Sequence, residues 1–433
     1  MNLFTPPEIT NKADTHIVIL GGGFAGATLA TSLEKKLPSN CSITLVSKDN
    51  HITYNPLLAE VVGASILPGH VIAPLRQMVK RTCICMVQVT DIDLINKQLH
   101  YLGEGSGTIK YDHLVIACGV NAKLDLVPGM ANWALPMKTL GDALFLRNRI
   151  MQRLEQASLQ PIPHLRQWLT TFVVLGGGFS GVEVAGEITD FLHSSLKYYP
   201  SLDPADCNVC LIHAGDRILP ELSPSLSQFA LKKMTKRGLD VHLNARAARV
   251  DARTVELQNG KRITSGTIIN TIGTTANTLI ESLSLPKIHD QIETRPDMSV
   301  PEFTGIWAIG DCAHIHNAWN NQPAPPTAQF ATREAEQLAR NIIATLHGNE
   351  TKAFHFRPLG ALSTIGHNKA VAEILGVRIS GFPAWLMWRG IYLLKVPTFS
   401  RKVRIFFEWS WGMLFPADIA HMGFTRTKRK SKH

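Results

Sequence analysis

The chain has too few acidic residues to balance its basic ones: 34 Asp and Glu stand against 44 Lys and Arg, a formal net charge of +10. That excess favours anionic partners, whether nucleic acid, an anionic membrane or anionic cofactors. No apolar run approaches the roughly 18 residues of a spanning helix, so any meeting with a membrane is expected at its surface. Cysteines number only seven and suggest no disulfide framework, so a reducing, cytosolic setting is expected. Met1 to Asp14 lacks a basic segment followed by an apolar one, and no secretory signal is expected. Aromatic stacking platforms and nucleic-acid motifs are also missing, so nucleic acid is not expected as a partner. The histidines His51, His314, His316 and His367 are not spaced as a metal site, and no metal is expected. At 433 residues, with 45% hydrophobic and 18% charged residues, the chain reads as ordered and two- or three-domain.

Two Gly-rich turns dominate what is present. His16 to Leu20 reads as a buried parallel strand, Gly21-Gly22-Gly23-Phe24-Ala25-Gly26 as a turn, and Ala27 to Leu37 as a helix. This is GxGxxG in the strand–turn–helix setting that gives the motif its meaning. Gly21 permits the tight turn, Gly23 lets a pyrophosphate approach the backbone, and Gly26 lets helix pack on strand. The helix N-terminus then offers free N–H groups to the anion. About 155 residues later the pattern repeats: strand Thr171 to Leu175, turn Gly176-Gly177-Gly178-Phe179-Ser180-Gly181, helix Val182 to Leu192. Two dinucleotide sites, or one site plus a decayed copy, are expected.

The acidic ribose ligand usual after the second strand of such a unit is missing from both. The strand Ser42 to Val46 ends at Ser47-Lys48, and the strand Asn208 to Ile212 ends at His213, with Arg217 near in sequence. Rejection of a 2′-phosphate is weakened, which leaves NADH and NADPH both open.

Tyr111 to Gly119, with Ala117-Cys118-Gly119 at its end, and Thr304 to Ala313, with Gly310-Asp311, read as two further strands ending in small-residue turns. In this order the four motifs resemble the two-dinucleotide-fold flavoprotein superfamily. The resemblance implies an α/β protein of two Rossmann-like domains, the NAD(P)H domain (136–273, closing at Gly273) inserted into an FAD domain (14–135 and 274–345), followed by a C-terminal membrane-association region (346–433). It also implies that Asp311 hydrogen-bonds the FAD ribityl chain.

The cysteines exclude several branches. His51 to Leu58 holds no redox pair, and Cys207 and Cys210 run into a strand, where the pair is poorly placed to close a disulfide. Three stretches resemble type II NADH dehydrogenases instead: Tyr54 to Val62, Pro325 to Ala331 (their "PPTAQxA") and Gly360 to Ala372, followed by Ser380 to Trp388. The resemblance covers nearly the whole chain. It implies a single-chain, non-proton-pumping NADH:quinone oxidoreductase with FAD, bound to the cytoplasmic face of the membrane. Within it, Glu183 is the expected charge-controlling or proton-handling group and Gln329 the expected quinone-side residue, with Ala328 beside the cofactor. Cys118 stands where Thr is usual. Glu183 and Glu187, four apart, are expected to share a face in the first turns of their helix, where they also complement its dipole.

At the C-terminal end, Pro383 to Val396 reads as one helix and Arg401 to Phe415 as a second. In the second, Arg401, Arg404, Glu408 and Gly412 share one arc, while Val403, Phe406, Phe407, Trp411 and Leu414 cover the opposite one. Four of the eight tryptophans lie in these segments, and the basic tail Arg426 to Lys432 follows. Wide apolar faces, Trp and flanking basic residues mark helices lying in an anionic lipid interface. The alternatives are packing on the protein or a homodimer contact. Two rival activities remain: a sulfide:quinone oxidoreductase, which needs flavin-side cysteines beyond Cys118 and Cys312, and a non-respiratory flavin/NAD-binding protein resembling apoptosis-inducing factor in its basic charge.

Overall fold

The computed structural model describes residues 14–103 and 105–423. The basic tail and all of the N-terminal stretch except Asp14 lie outside the described residues. Seven helices are used below: α1 (Phe24–Glu34), α2 (Leu58–Val62), α3 (Leu140–Ser158), α4 (Phe179–Ser195), α5 (Ala328–Leu346), α6 (Phe382–Lys395) and α7 (Phe399–Gly412).

The strands Thr15–Leu20 and Thr171–Leu175 are almost wholly buried and mainly apolar because each is central in a fully parallel sheet, covered on both faces. The first sheet runs Ile306–Ala308, His113–Ile116, Thr15–Leu20, Cys41–Ser47, Cys83–Met86. The second runs Ala134–Pro136, Thr267–Asn270, Thr171–Leu175, Asn208–Ile212, Leu239–His242. The orders match strand for strand. In each, a three-stranded antiparallel meander precedes the strand that returns to pair with the central one: Gln88 to Lys110 before His113–Ile116, and Ala247 to Thr264 before Thr267–Asn270.

The chain passes between the two domains on paired linkers, Val120–Ala122 antiparallel to Thr274–Ala276. The second sheet therefore begins before Pro136. Ala134–Pro136 is already its edge strand, and Val127, Met130 and Ala134 belong to its core. The small residues of this short strand carry too little periodicity to reveal that in sequence.

The C-terminal region opens with a three-stranded antiparallel sheet, Gly360–Thr364, Ala370–Ile374 and Val377–Gly381. It shares one hydrophobic core with α2, α3, α4, α6 and α7. Trp385, Trp388 and Trp409 are buried in that core, and only Trp411 of the four C-terminal tryptophans is exposed. The tryptophans thus mark packing more than an interface. The exposed apolar face is built from Phe382, Leu386, Phe399, Phe406, Phe407 and Leu414. No helix among the described residues is long and apolar enough to cross a membrane.

Candidate functional site

At the first turn, two glycines are demanded by the fold and one is not. Gly21 has φ +119°, and a Cβ there would lie 2.2 Å from the Ala117 carbonyl oxygen. A Cβ on Gly26 would lie 1.9 Å from Gly21 O. On Gly23 it would meet nothing within 4 Å. Gly23 is also the N-cap of α1 with no side chain capping it, so the first N–H groups of the helix are left for an anion. The second turn repeats this. Gly181 is held against Gly176 O, whereas Gly178, the uncapped N-cap of α4, has only Glu221 Oε1 near, at 3.6 Å. Phe179 is half-buried and Ser180 exposed at the start of α4. Each turn is a cradle that fits a pyrophosphate.

Around the first cradle stand the other expected flavin contacts. Ser47 is buried against Gly22 and accepts from Asp49 N, while Lys48 is exposed. Gly310 packs on Ala25 at φ +74°. Asp311 lies 3.8 Å from Lys138 Nζ, and burial raises its carboxyl against that charge. The buried Cys312, whose thiol donates to Ile309 O, together with burial raises the Cys118 thiol, and Gly119 follows at φ +66°. Ala328 and Gln329 open α5, whose N-cap Thr327 accepts from Phe330 N. Gln329 makes no hydrogen bond among the described residues and is half-exposed. Sequence reasoning missed Glu334, buried on α5. It accepts from Gly310 N at 2.8 Å, and burial lifts its carboxyl to about 7.

At the second cradle, His213 Nδ1 accepts from Gly177 N at 3.1 Å, which places the imidazole proton on Nε2. Burial lowers its pKa, so the ring is neutral. Arg217 donates to Pro220 O. Asp216 and Glu221 both act on His213, so acidic groups absent from the strand end arrive from the following loop. Gly273, φ +73°, accepts through its carbonyl from Lys123 N where the linkers meet.

α4 begins at Phe179, so Glu183 and Glu187 lie in its second and third turns, not its first, and no acidic residue stands in the first turn. Their role is not to complement the dipole. Burial lifts the Glu183 carboxyl to about 8, with the nearby Ser363 side chain and Thr364 backbone acting in the opposite direction. Glu187 accepts from Ser65 Oγ at 2.9 Å and is raised by burial and by Glu60. Glu60 on α2 is raised by burial despite Arg389, and accepts from Trp409 Nε1 at 2.7 Å. The Arg389 guanidinium lies 3.8 Å from the Trp385 ring centre and 5.0 Å from that of Trp409. Three carboxyls from two domains thus meet under the C-terminal region, Glu60 and Glu187 buried and Glu183 half-buried. Beside it, Phe24, Tyr54 and Tyr392 form an aromatic chain from the first cradle to α6, with centroids 5.7 and 6.2 Å apart. Glu60 lies in the Tyr54 to Val62 stretch and Arg389 in the first C-terminal helix, but nothing in sequence ties either to α4; only the tertiary fold unites them.

Among the described residues, Cys210, Asp240 and His242 bring potential ligand atoms within 4.8 Å of one another, with His242 hydrogen-bonded to Asp240. Burial pushes the Cys210 thiol up to about 12.

Residues 15–335 match the pyridine nucleotide-disulphide oxidoreductase family model, and 359–418 the NDH2 C-terminal domain model. A type II NADH:quinone oxidoreductase of Mycobacterium tuberculosis is 29% identical, over 91% of this chain and 87% of its own. A demethylphylloquinone reductase of Synechocystis is 30% identical, over 92% and 96%. The fold matches that of NDH2 from Plasmodium falciparum in complex with NADH, with TM-score 0.88 at 20% identity over 95% of this chain and 100% of the other.

Proposed function

Because the chain belongs to the pyridine nucleotide-disulphide oxidoreductase family and ends in an NDH2 C-terminal domain, we infer that it is a type II, non-proton-pumping NADH:quinone oxidoreductase. The observation that carries this reading is the joint at α4: the helix that opens the second cradle buries Glu187, and half-buries Glu183, against the C-terminal region.

FAD, held by Gly21, Gly23 and Gly26 with Asp311, supplies the two-electron chemistry when bound. The second cradle, Gly176 to Gly181, holds the NADH pyrophosphate at the N-terminus of α4. The neutral His213 and the acidic Glu221 disfavour a 2′-phosphate, which makes NADH the preferred donor. Reducing a quinone with NADH takes up one proton from solution. Glu183, whose carboxyl holds a proton near neutral pH, is placed to keep it inside a dry site. Gln329, its amide unengaged among the described residues, orients the quinone. The exposed apolar face of α6 and α7 rests on lipid, with the nucleotide domains on the cytoplasmic side. The seven free cysteines suit a reducing compartment.

Steady-state NADH oxidation by the purified protein tests this. Oxidation is expected to require a short-chain quinone, with FAD released on denaturation. The nearness of Cys118 to Cys312 keeps one second reading, sulfide:quinone oxidoreduction, although that chemistry needs a further flavin-side cysteine. Reduction of the flavin by sulfide alone would establish it in place of the first.

A further inference from the structure

Arg401 and Arg404 line a cavity of about 370 Å³ beside α7. Leu67 from the loop after α2, Leu144 of α3 and Met422 give it apolar walls, and His70 one polar group. The two guanidiniums have no carboxylate: neither forms an ion pair among the described residues. Arg401 donates to the Gly69 carbonyl. The Arg404 side chain makes no hydrogen bond among the described residues, and burial, together with the Arg404 charge, lowers the Arg401 pKa. Glu408, one turn on, is already engaged by His70 Nδ1 and Leu67 N.

Position on the helix narrows the ligand. At about 100° per residue, Arg401 and Arg404 fall on one flank of α7. On one side of them lies the buried arc of Ile405 and Trp409; on the other lies the exposed arc of Val403, Phe406, Phe407 and Trp411. With the exposed arc on lipid, the two arginines stand at headgroup height, where long cationic side chains keep their charge at the interface.

We infer that this cavity seats the phosphate of one anionic membrane phospholipid, with an acyl chain running from Leu67 and Met422 onto the exposed face of α7. The assignment rests on the membrane-surface reading of that face. A free phosphate would gain the two charges and nothing from the apolar walls, and arginine's planar fork suits a phosphate ester.

The test is vesicle flotation of the flavin-loaded protein at fixed ionic strength, with phosphatidylcholine alone and with added phosphatidylglycerol. The wild type is expected to float on both, and more strongly with phosphatidylglycerol. Arg401→Gln with Arg404→Gln loses about fivefold in that increment per arginine. A charge-matched control, Arg246→Gln with Arg249→Gln on the second domain, keeps it. Arg404→Gln alone loses one such factor and leaves the seat of α7 intact, because the Arg404 side chain makes no hydrogen bond there. Equal loss in the control, or no loss at Arg404, overturns the cavity while leaving membrane attachment standing. Failure of the wild type to float on either vesicle overturns both. Replacing chloride by inorganic phosphate should leave the increment unchanged; its abolition would assign the seat to free phosphate instead.

Discussion

Gly23 and Gly26 stand three residues apart, yet a methyl group has opposite consequences at each. At Gly26 it collides with Gly21 O, so Gly26→Ala is expected to lower soluble yield and melting temperature. At Gly23 the protein offers no obstacle, and the only clash is with the pyrophosphate. Gly23→Ala is therefore expected to keep its far-ultraviolet circular dichroism and purify without flavin; a yellow Gly23→Ala protein would refute the cradle. The raised carboxyls make pH predictions. Glu183 holds its proton up to about pH 8, so quinone turnover should fall above that pH. Glu183→Gln should lose that limb and about 10²-fold in rate. Stability follows the same shift. The folded carboxyl has the higher pKa, so unfolding releases a proton, and stability declines as pH rises from the unfolded value through the folded one. Between pH 5 and 9 the melting temperature of Glu187→Gln should fall less than that of the wild type.

α7 shows what sequence periodicity conveys and what it omits. The apolar arc of Val403, Phe406, Phe407, Trp411 and Leu414 was legible, and it is exposed as an interfacial helix requires. The inner arc was not legible. Trp409 looks like an interface anchor in sequence but is buried, donating to a carboxyl some 350 residues away in the chain. Sequence shows which residues share a face, but the partner that covers the face is set by the fold. Trp409→Phe keeps an aromatic ring but removes the donor and part of the buried volume, and leaving the Glu60 carboxyl unsatisfied alone costs about 1–3 kcal/mol. Guanidinium denaturation should register that loss. It should be smaller in Glu60→Leu, where no carboxyl remains to be satisfied.

Across the whole molecule, duplication was the most legible feature. Each strand–turn–helix unit lies within about 20 residues, so local chemistry declares it; the order of the later motifs then indicates an insertion. The crossover itself was displaced, because Ala134–Pro136 joins the second sheet through pairing with Thr267–Asn270, a contact no local pattern encodes. The carboxyl patch of Glu60, Glu183 and Glu187 escaped for the same reason, since its members meet only where two domains and the C-terminal region close together. At the second cradle Asp216 and Glu221 bring negative charge close to His213, so kcat/KM for NADH is expected to exceed that for NADPH by at least about tenfold, the effect of roughly 1.4 kcal/mol. His213→Arg should narrow the gap.

The most direct test of the account separates the two halves of turnover in a stopped-flow spectrometer. Anaerobic NADH is mixed with the flavin-loaded protein in detergent, and a short-chain quinone is then added. The account predicts rapid bleaching by NADH and rapid return of the oxidised spectrum with quinone, with Glu183→Gln slowing the second step far more than the first. Rapid bleaching followed by no recovery with quinone would contradict it.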